Sequence, residues 1–393
     1  MINLYSLCLI ALICLLQFNS KSEAKSPVKL SVGLIDPKAT PSIHNMPYRS
    51  KLLEIAKNLV IEDYKPVFDR AGIELKIIPY EIGAYETEAI LKVKEAIVGP
   101  SIASVGLNTS NYAVLAAPYL EGSNYTIVSS SATSSILEKY YPNLITTHQS
   151  NRCLAQNISN LIDQEFPMAK ISAVVAWDCA YCRDMYENLS ENIRSKTTLK
   201  KVISDSEAIA PIVEDIMKSS PDIIYIPNFA VFSANLMNGF IEAGFKGTFI
   251  GGDSWGETNG RSLQLLTKGK PIHALAVRQR SQHFMTPNLT ELSHSLLRDH
   301  DMPFSLMVPN VYESFASIFE VILQMEPPYT RERFQSKYRQ YKRHQGKYLS
   351  FFTDPSLKGN QNAFVVELTG AGISPYKIIE SPNYDLINQK NSI

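Results

Sequence analysis

The chain lacks any charge bias. Its 38 Lys and Arg residues balance 38 Asp and Glu residues among 393. Nucleic acid demands a basic surface to neutralise phosphates, so DNA and RNA are not expected partners. A strongly anionic membrane surface is disfavoured for the same reason. After the first 24 residues, no stretch approaches the ~18 apolar residues of a membrane span. The seven His residues are scattered, with no metal-ligand spacing, so neither a metal nor another cofactor is expected. No Gly-x-Ser-x-Gly elbow and no Gly-rich phosphate loop occur, which leaves a hydrolase without its nucleophile and an enzymatic role unsupported. Cysteine is sparse, and two of the five, Cys8 and Cys14, lie in one N-terminal apolar run.

That run, Leu4 to Phe18, has the length of a secretion-leader core rather than a span. Small residues at Ser22 and Ala24 flank Glu23, so residues 1–24 read as a signal peptide cleaved after Ala24. An uncleaved N-terminal anchor is the alternative. Neither Cys8 nor Cys14 follows a small residue, so a lipoprotein anchor is not expected. The mature chain is expected to be periplasmic or secreted. It retains Cys153, Cys179 and Cys182, an odd number that leaves one thiol unpaired within a monomer, the expected state.

With 45% hydrophobic and 19% charged residues, the chain is globular and long enough for two cores. Short apolar runs alternate with helical patterns. Lys29–Ile35, Ile73–Ile78, Ile102–Leu107 and Tyr125–Val128 read as strands, with helices between them. The alternation restarts at Asn151: Ile171–Trp177, Ile223–Ile226 and Thr248–Gly251 read as strands, and Phe364–Leu368 as a late one. Strands of four to seven apolar residues between helices predict parallel sheets covered on both faces. Two such series predict an α/β protein of two doubly wound parallel-sheet lobes joined by hinge crossovers. One lobe is expected over 25–148 plus about 275–355, the other over 149–274 plus about 356–393. Ligands of such sheets sit beyond the carboxyl ends of strands. Those ends carry Asp36, Thr109-Ser110-Asn111, Ser129 to Ser134, Asp178 to Cys182, Asn228-Phe229 and Asp253, a set suited to a small polar molecule.

The segments Val105-Gly-Leu-Asn-Thr-Ser-Asn111 and Tyr125-Thr-Ile-Val-Ser-Ser-Ser-Ala-Thr133, followed by Glu242 to Gly256, are similar in order and spacing to the type I periplasmic binding proteins. The branched-chain amino acid binders are the branch most resembled, over about residues 27 to 380. The resemblance implies an extracytoplasmic solute-binding protein that captures an amino acid or similar small polar solute between lobes for an ABC transporter permease. A ligand sensor on the same fold is the alternative, and a hydrolase the least favoured. The resemblance places the hydroxyls of Ser110 and Thr133, and the backbone of Ser131 and Ala132, around a ligand carboxylate. It places Asp253 against an α-ammonium, and Tyr181 and Phe229 near the aromatics that close the cleft.

Hydroxyls and amides at a helix start suit a carboxylate, and one acid across the cleft suits an ammonium. The same residues have plainer readings. Ser110 and Thr133 cap helices, with Ser135 and Glu138 at capping-box spacing, and Asp253 sits in a turn. Trp177 reads as core, and Trp255 is balanced between core and site. Cys179-x-x-Cys182 is read as a structural disulfide, with Cys153 as a competing partner and a redox or zinc role less favoured. The loop from Pro37 to Asn45 departs from the family, which leaves ligand identity open.

Overall fold

The computed structural model describes residues 26–37, 49–83, 85–193, 197–203, 208–255, 267, 270, 272–280, 285–353, 363–369 and 372–379. The expected leader and the loop beyond Pro37 lie outside them. Among the described residues, no helix is long and apolar enough to cross a membrane.

The first sheet contains β1 (Val28–Pro37), β2 (Ile73–Ile82), β3 (Ala103–Gly106), β4 (Ile127–Ser129) and β5 (Leu144–Thr146), in the order β2-β1-β3-β4-β5. Every pairing is parallel. The second sheet contains β6 (Ile171–Ala176), β7 (Thr197–Ile203), β8 (Ile223–Tyr225), β9 (Thr248–Gly251) and β10 (Ala274–Arg278), and two late strands, β13 (Ala363–Thr369) and β14 (Gly372–Ile379). Its order is β14-β13-β10-β9-β8-β6-β7. Both sheets therefore use the doubly wound order, with switch points between β1 and β3 and between β6 and β8. The second departs from a purely parallel sheet, because β13 pairs antiparallel with both β10 and β14.

Helices cover both faces of the first sheet. On one face, α1 (Arg49–Arg70), α9 (Pro287–His300), α10 (Met307–Leu323) and α11 (Arg331–Gln340) share a core with Val32, Val105 and Val128. On the other, α2 (Glu88–Val98), α3 (Ser110–Ala116) and α4 (Ser135–Tyr140) pack on Ile35, Ile127 and Leu144. The second lobe has one continuous core, to which α5 (Asn151–Glu165), α6 (Ala180–Asn192), α7 (Ile209–Met217) and α8 (Ala230–Glu242) all contribute.

Helix α10 is buried nearly all round, between α1 and the sheet. Phe319 packs edge-on against Tyr64 and Phe68 of α1 at 5.4 Å each, so truncating it to Ala costs about 3–5 kcal/mol. Its one buried acid, Glu313, accepts the Leu349 amide at 3.1 Å and meets His344 Nε2 at 2.7 Å. That ties the hairpin of β11 (Arg343–Gln345) and β12 (Ser350–Phe352) to the first lobe.

The chain passes between sheets at residues 147–150, again between Arg278 and Pro287, and again between Phe352 and Ala363. Residue 275, where a return to the first lobe is expected, falls inside β10, which stays in the second sheet. The first-lobe core is rejoined by Leu289.

Candidate functional site

The first-lobe wall begins at the end of β3. Gly106 has φ of +153°, and a side chain there would collide with the Ile35 carbonyl, so the strand end lies directly on β1. Leu107 follows in the left-handed region at φ 54°, where a Cβ is disfavoured by roughly 1–2 kcal/mol. The strained turn aims Asn108 at the Ser-rich turn after β4. Asn108 Oδ1 accepts the Ser130 amide at 3.0 Å and the Ser130 hydroxyl at 2.8 Å. The Ser131 hydroxyl donates to the Asn108 carbonyl at 2.6 Å, and Ala132 N–H donates to Ser129 Oγ at 3.2 Å.

Ser110 Oγ accepts the amides of Thr133 and Ser134 at 3.3 and 3.2 Å. Ser110, Ser131, Ala132 and Thr133 therefore form one cluster. The N-cap of α3 is Thr109, whose hydroxyl accepts Tyr112 N–H at 3.4 Å. Ser110 is thus a link between two turns rather than a cap. The capping box at Ser135 does not form: Ser134 is the N-cap of α4 and makes no side-chain cap bond.

Asp36, at the end of β1, accepts Arg49 Nη2 at 2.8 Å and Asn108 Nδ2 at 3.3 Å. Burial is the largest influence and raises the Asp36 pKa above the ordinary carboxylate range, with Arg49 and Asn108 opposing it.

On the second-lobe wall, Tyr181 on α6 donates to Asp253 Oδ1 at 2.7 Å, and its ring lies 5.7 Å from Phe229. The three are thus assembled at the carboxyl ends of β6, β8 and β9. Any side chain at Gly252 would strike the Tyr181 hydroxyl. Burial pushes the Asp253 pKa up, with Tyr181 and Arg278 opposing. Burial, then the Asp253 charge, holds the Tyr181 phenol well above its usual pKa, so it stays a donor.

Trp255 is fully buried and donates to the Asn228 carbonyl at 3.1 Å and Ser233 Oγ at 3.0 Å, which makes it core rather than cleft wall. Trp177 is part-buried against the second-lobe core, with the Arg183 guanidinium 5.7 Å over its ring. Cys179 and Cys182 form a disulfide at the start of α6, and Cys153 stays a thiol.

The walls meet at Asn151. Its N–H donates to the Thr133 carbonyl at 2.6 Å and its Nδ2 to the Tyr181 carbonyl at 3.3 Å. Three buried polar atoms on this seam have no hydrogen-bond partner: Ser134 Oγ, Asn151 Oδ1 and Tyr225 Oη. A buried orphan is costly unless a ligand or water satisfies it. Of these, Tyr225 carried a legible sign, a phenol inside the apolar strand Ile223–Ile226. Asn151 carried none, because its partners, Thr133 and Tyr181, are remote in sequence. Among the described residues, no group of three His, Cys, Asp or Glu side chains could hold a metal ion. An apolar groove of about 830 Å³ between α7 and α8 shares no residue with this cleft.

Comparison with known proteins places this geometry. The profile of the family described as "Receptor family ligand binding region" matches residues 84–336. No curated protein matches the sequence. Among solved structures, a leucine-binding protein LivK from Thermotoga maritima superposes with a TM-score of 0.76 at 12% identity, covering 90% of this chain and 99% of its own. The branched-chain amino acid transporter substrate-binding protein LivJ from Streptococcus pneumoniae, in complex with isoleucine, gives 0.74 at 14%, covering 89% and 99%. A solute-binding protein of an ABC transporter from Rhodopseudomonas palustris, in complex with 3,4-dihydroxybenzoic acid, gives 0.70 at 16%, covering 90% and 99%. Identities this low speak for the fold, the two-lobed type I periplasmic binding architecture, whereas the profile covers more than half of the sequence. The chain belongs to the receptor-type ligand-binding region family.

Proposed function

We propose that this chain is an extracytoplasmic solute-binding protein, which captures a small carboxylate-bearing solute between its lobes and delivers it to an ABC transporter permease. The observation that carries the reading is the meeting, at the carboxyl ends of two doubly wound sheets, of the Ser110–Thr133 cluster with the Tyr181–Asp253 pair, on a seam with three unsatisfied buried polar atoms. The ligands in two of the similar structures, isoleucine and 3,4-dihydroxybenzoic acid, both carry a carboxylate. That supports an anion-holding role for the first lobe. The amides of Thr133 and Ser134, now accepted by Ser110 Oγ, and that of Ala132, accepted by Ser129 Oγ, head the turn into α4 and suit an anion that shares them. Asp253, across the cleft, suits an ammonium, which makes an amino acid the favoured solute.

A thermal-shift screen over amino acids, amides, aromatic acids and short peptides tests this, followed by calorimetry on the best hit. Stabilisation by an amino acid supports the role of Asp253. Stabilisation only by acids without an ammonium removes that role, and no stabilisation by any carboxylate sinks the reading. A sensor role is favoured by the family's description as a receptor region. Ligand-stimulated ATP hydrolysis by a reconstituted permease supports the transport role, and occupancy-dependent binding to a receptor or kinase supports the sensor. N-terminal sequencing of the exported protein tests cleavage after Ala24.

A further inference from the structure

Two backbone amides in the cleft are satisfied by side chains from the opposite lobe. Ser135 is the first residue of α4 in the first lobe, a position whose N–H has no intrahelical acceptor. That N–H donates to Asp184 Oδ2 at 2.8 Å, and the Ser135 hydroxyl donates to Asp184 Oδ1 at 2.5 Å. Ala180 is the first residue of α6 in the second lobe, and its N–H donates to Asn111 Oδ1 at 2.8 Å. An N-cap side chain reaches the second or third amide of its helix, as Cys179 Sγ reaches Cys182, so the first amide of each helix is open to an acceptor from elsewhere.

Both acceptors are held in position by their own lobes. Asn111 Nδ2 donates to Glu86 Oε1 at 3.1 Å, which fixes the direction of its carbonyl oxygen. Asn188 Nδ2, one turn along α6, donates to Asp184 Oδ1 at 3.1 Å and reaches the Ser135 hydroxyl at 3.3 Å. Asp184 is buried although it lies between lobes. The exchange is reciprocal: α6 provides the cap of α4 and receives its own from α3.

We propose that α6 is a latch: the mutual capping of α4 by Asp184 and of α6 by Asn111 holds the lobes together without ligand, so affinity is set in part by residues that need not touch the solute. This rests on the two-lobed capture reading above and adds to it a closed population that exists before binding. Opening returns both amides and the carboxylate to water, so only the net preference counts. A charge-assisted bond favours the closed form by roughly tenfold or more, a neutral one by a few-fold. A bias of that size leaves the cleft able to open, while reducing the fraction of binding energy that closure consumes.

The test uses the full chain without any ligand. Hydrogen exchange is followed at the Ser135 and Ala180 amides, and small-angle scattering gives the radius of gyration, for wild type, Asp184→Ala, Asn111→Ala and the double variant. A latch predicts a cross effect. Asn111→Ala, which removes the Ala180 cap and the contact with Glu86 but no bond at Ser135, speeds exchange at Ser135 by about three- to tenfold, and the radius rises most in the double variant. A local cap moves Ala180 alone. The proposal is overturned if Ser135 exchange in Asn111→Ala matches wild type, or if the folded double variant keeps the wild-type radius. Should Asp184→Ala fail to fold because Asn188 loses its partner, Asp184→Asn keeps an acceptor for Ser135, and Asn111→Ala tests the latch from the other lobe. A negative thermal-shift screen overturns the capture reading and leaves these ligand-free measurements standing.

Discussion

On the first-lobe wall of the cleft, the hydroxyls of Ser110, Ser129, Ser130 and Ser131 are engaged with their own lobe, through Asn108 and the turn amides. On the second-lobe wall, the Asp253 carboxyl rests on the Tyr181 phenol, and the Tyr225 phenol has no partner. One wall is pre-assembled by many short bonds within a lobe. The other keeps a buried acid held by the Tyr181 phenol and the Asp253 and Ser254 amides, with Arg278 as a nearby cation and the Tyr225 phenol unsatisfied beside it. A pre-assembled wall holds a feature common to many solutes, and a sparsely satisfied wall discriminates among them. On the function proposed above, the carboxylate would sit on the first wall and ligand identity would be set by the second.

The sharpest way to break that contrast is Asp253→Ala. With an ammonium-bearing ligand, calorimetry should show affinity falling at least tenfold, about 1.5–3 kcal/mol, while the melting temperature without ligand falls because the buried Tyr181 phenol loses its acceptor. Thr133→Ala should weaken binding by about tenfold for acids with and without an ammonium alike, and an effect confined to amino acids would break the assignment of the carboxylate to this wall.

A pH series comes next. Burial raises the Asp253 pKa, so affinity for an ammonium should fall as pH drops through that raised value. The ligand-free protein moves the other way: the folded state binds the proton more tightly than the unfolded one, so this group's contribution falls as pH rises through the same window. Tyr181→Phe removes a bond that opposes the upward shift, so the pH of half-maximal affinity should move up. Smallest is Ser110→Ala, which leaves two buried amides without their internal acceptor. Ligand-free stability should drop by about 1–2 kcal/mol in a denaturant melt, and the stabilisation conferred by a carboxylate ligand should grow.

The strand series was legible because parallel strands buried on both faces read as apolar runs: Ile171 to Ala176 is buried throughout. Strands β5 and β8 have three residues each, too few for a period. Ile223–Tyr225 stood out between turns, and Leu144–Thr146 did not. Strand β7, Thr197–Ile203, carries Lys200 and Lys201 and lacks the apolar signature. Helix α6 begins at Ala180, where Cys179 serves as N-cap through its sulfur, a capping residue that no ordinary pattern announces. The Ser-rich turn and Asp253 were visible as polar groups at strand ends. The partner of Ser135, by contrast, lies 49 residues away in another lobe, and no local pattern encodes that.

The second sheet has a consequence for biogenesis. Strand β10 pairs with β13, from Ala274 opposite Leu368, so the edge of this sheet waits for residues made nearly a hundred positions later. Between them come α9, α10 and α11, which belong to the other lobe. Neither lobe is a contiguous stretch that could finish folding while the rest is still being synthesised. A chain of this connectivity completes both cores only after its last strands are made, and such long-range pairing is slow and aggregation-exposed.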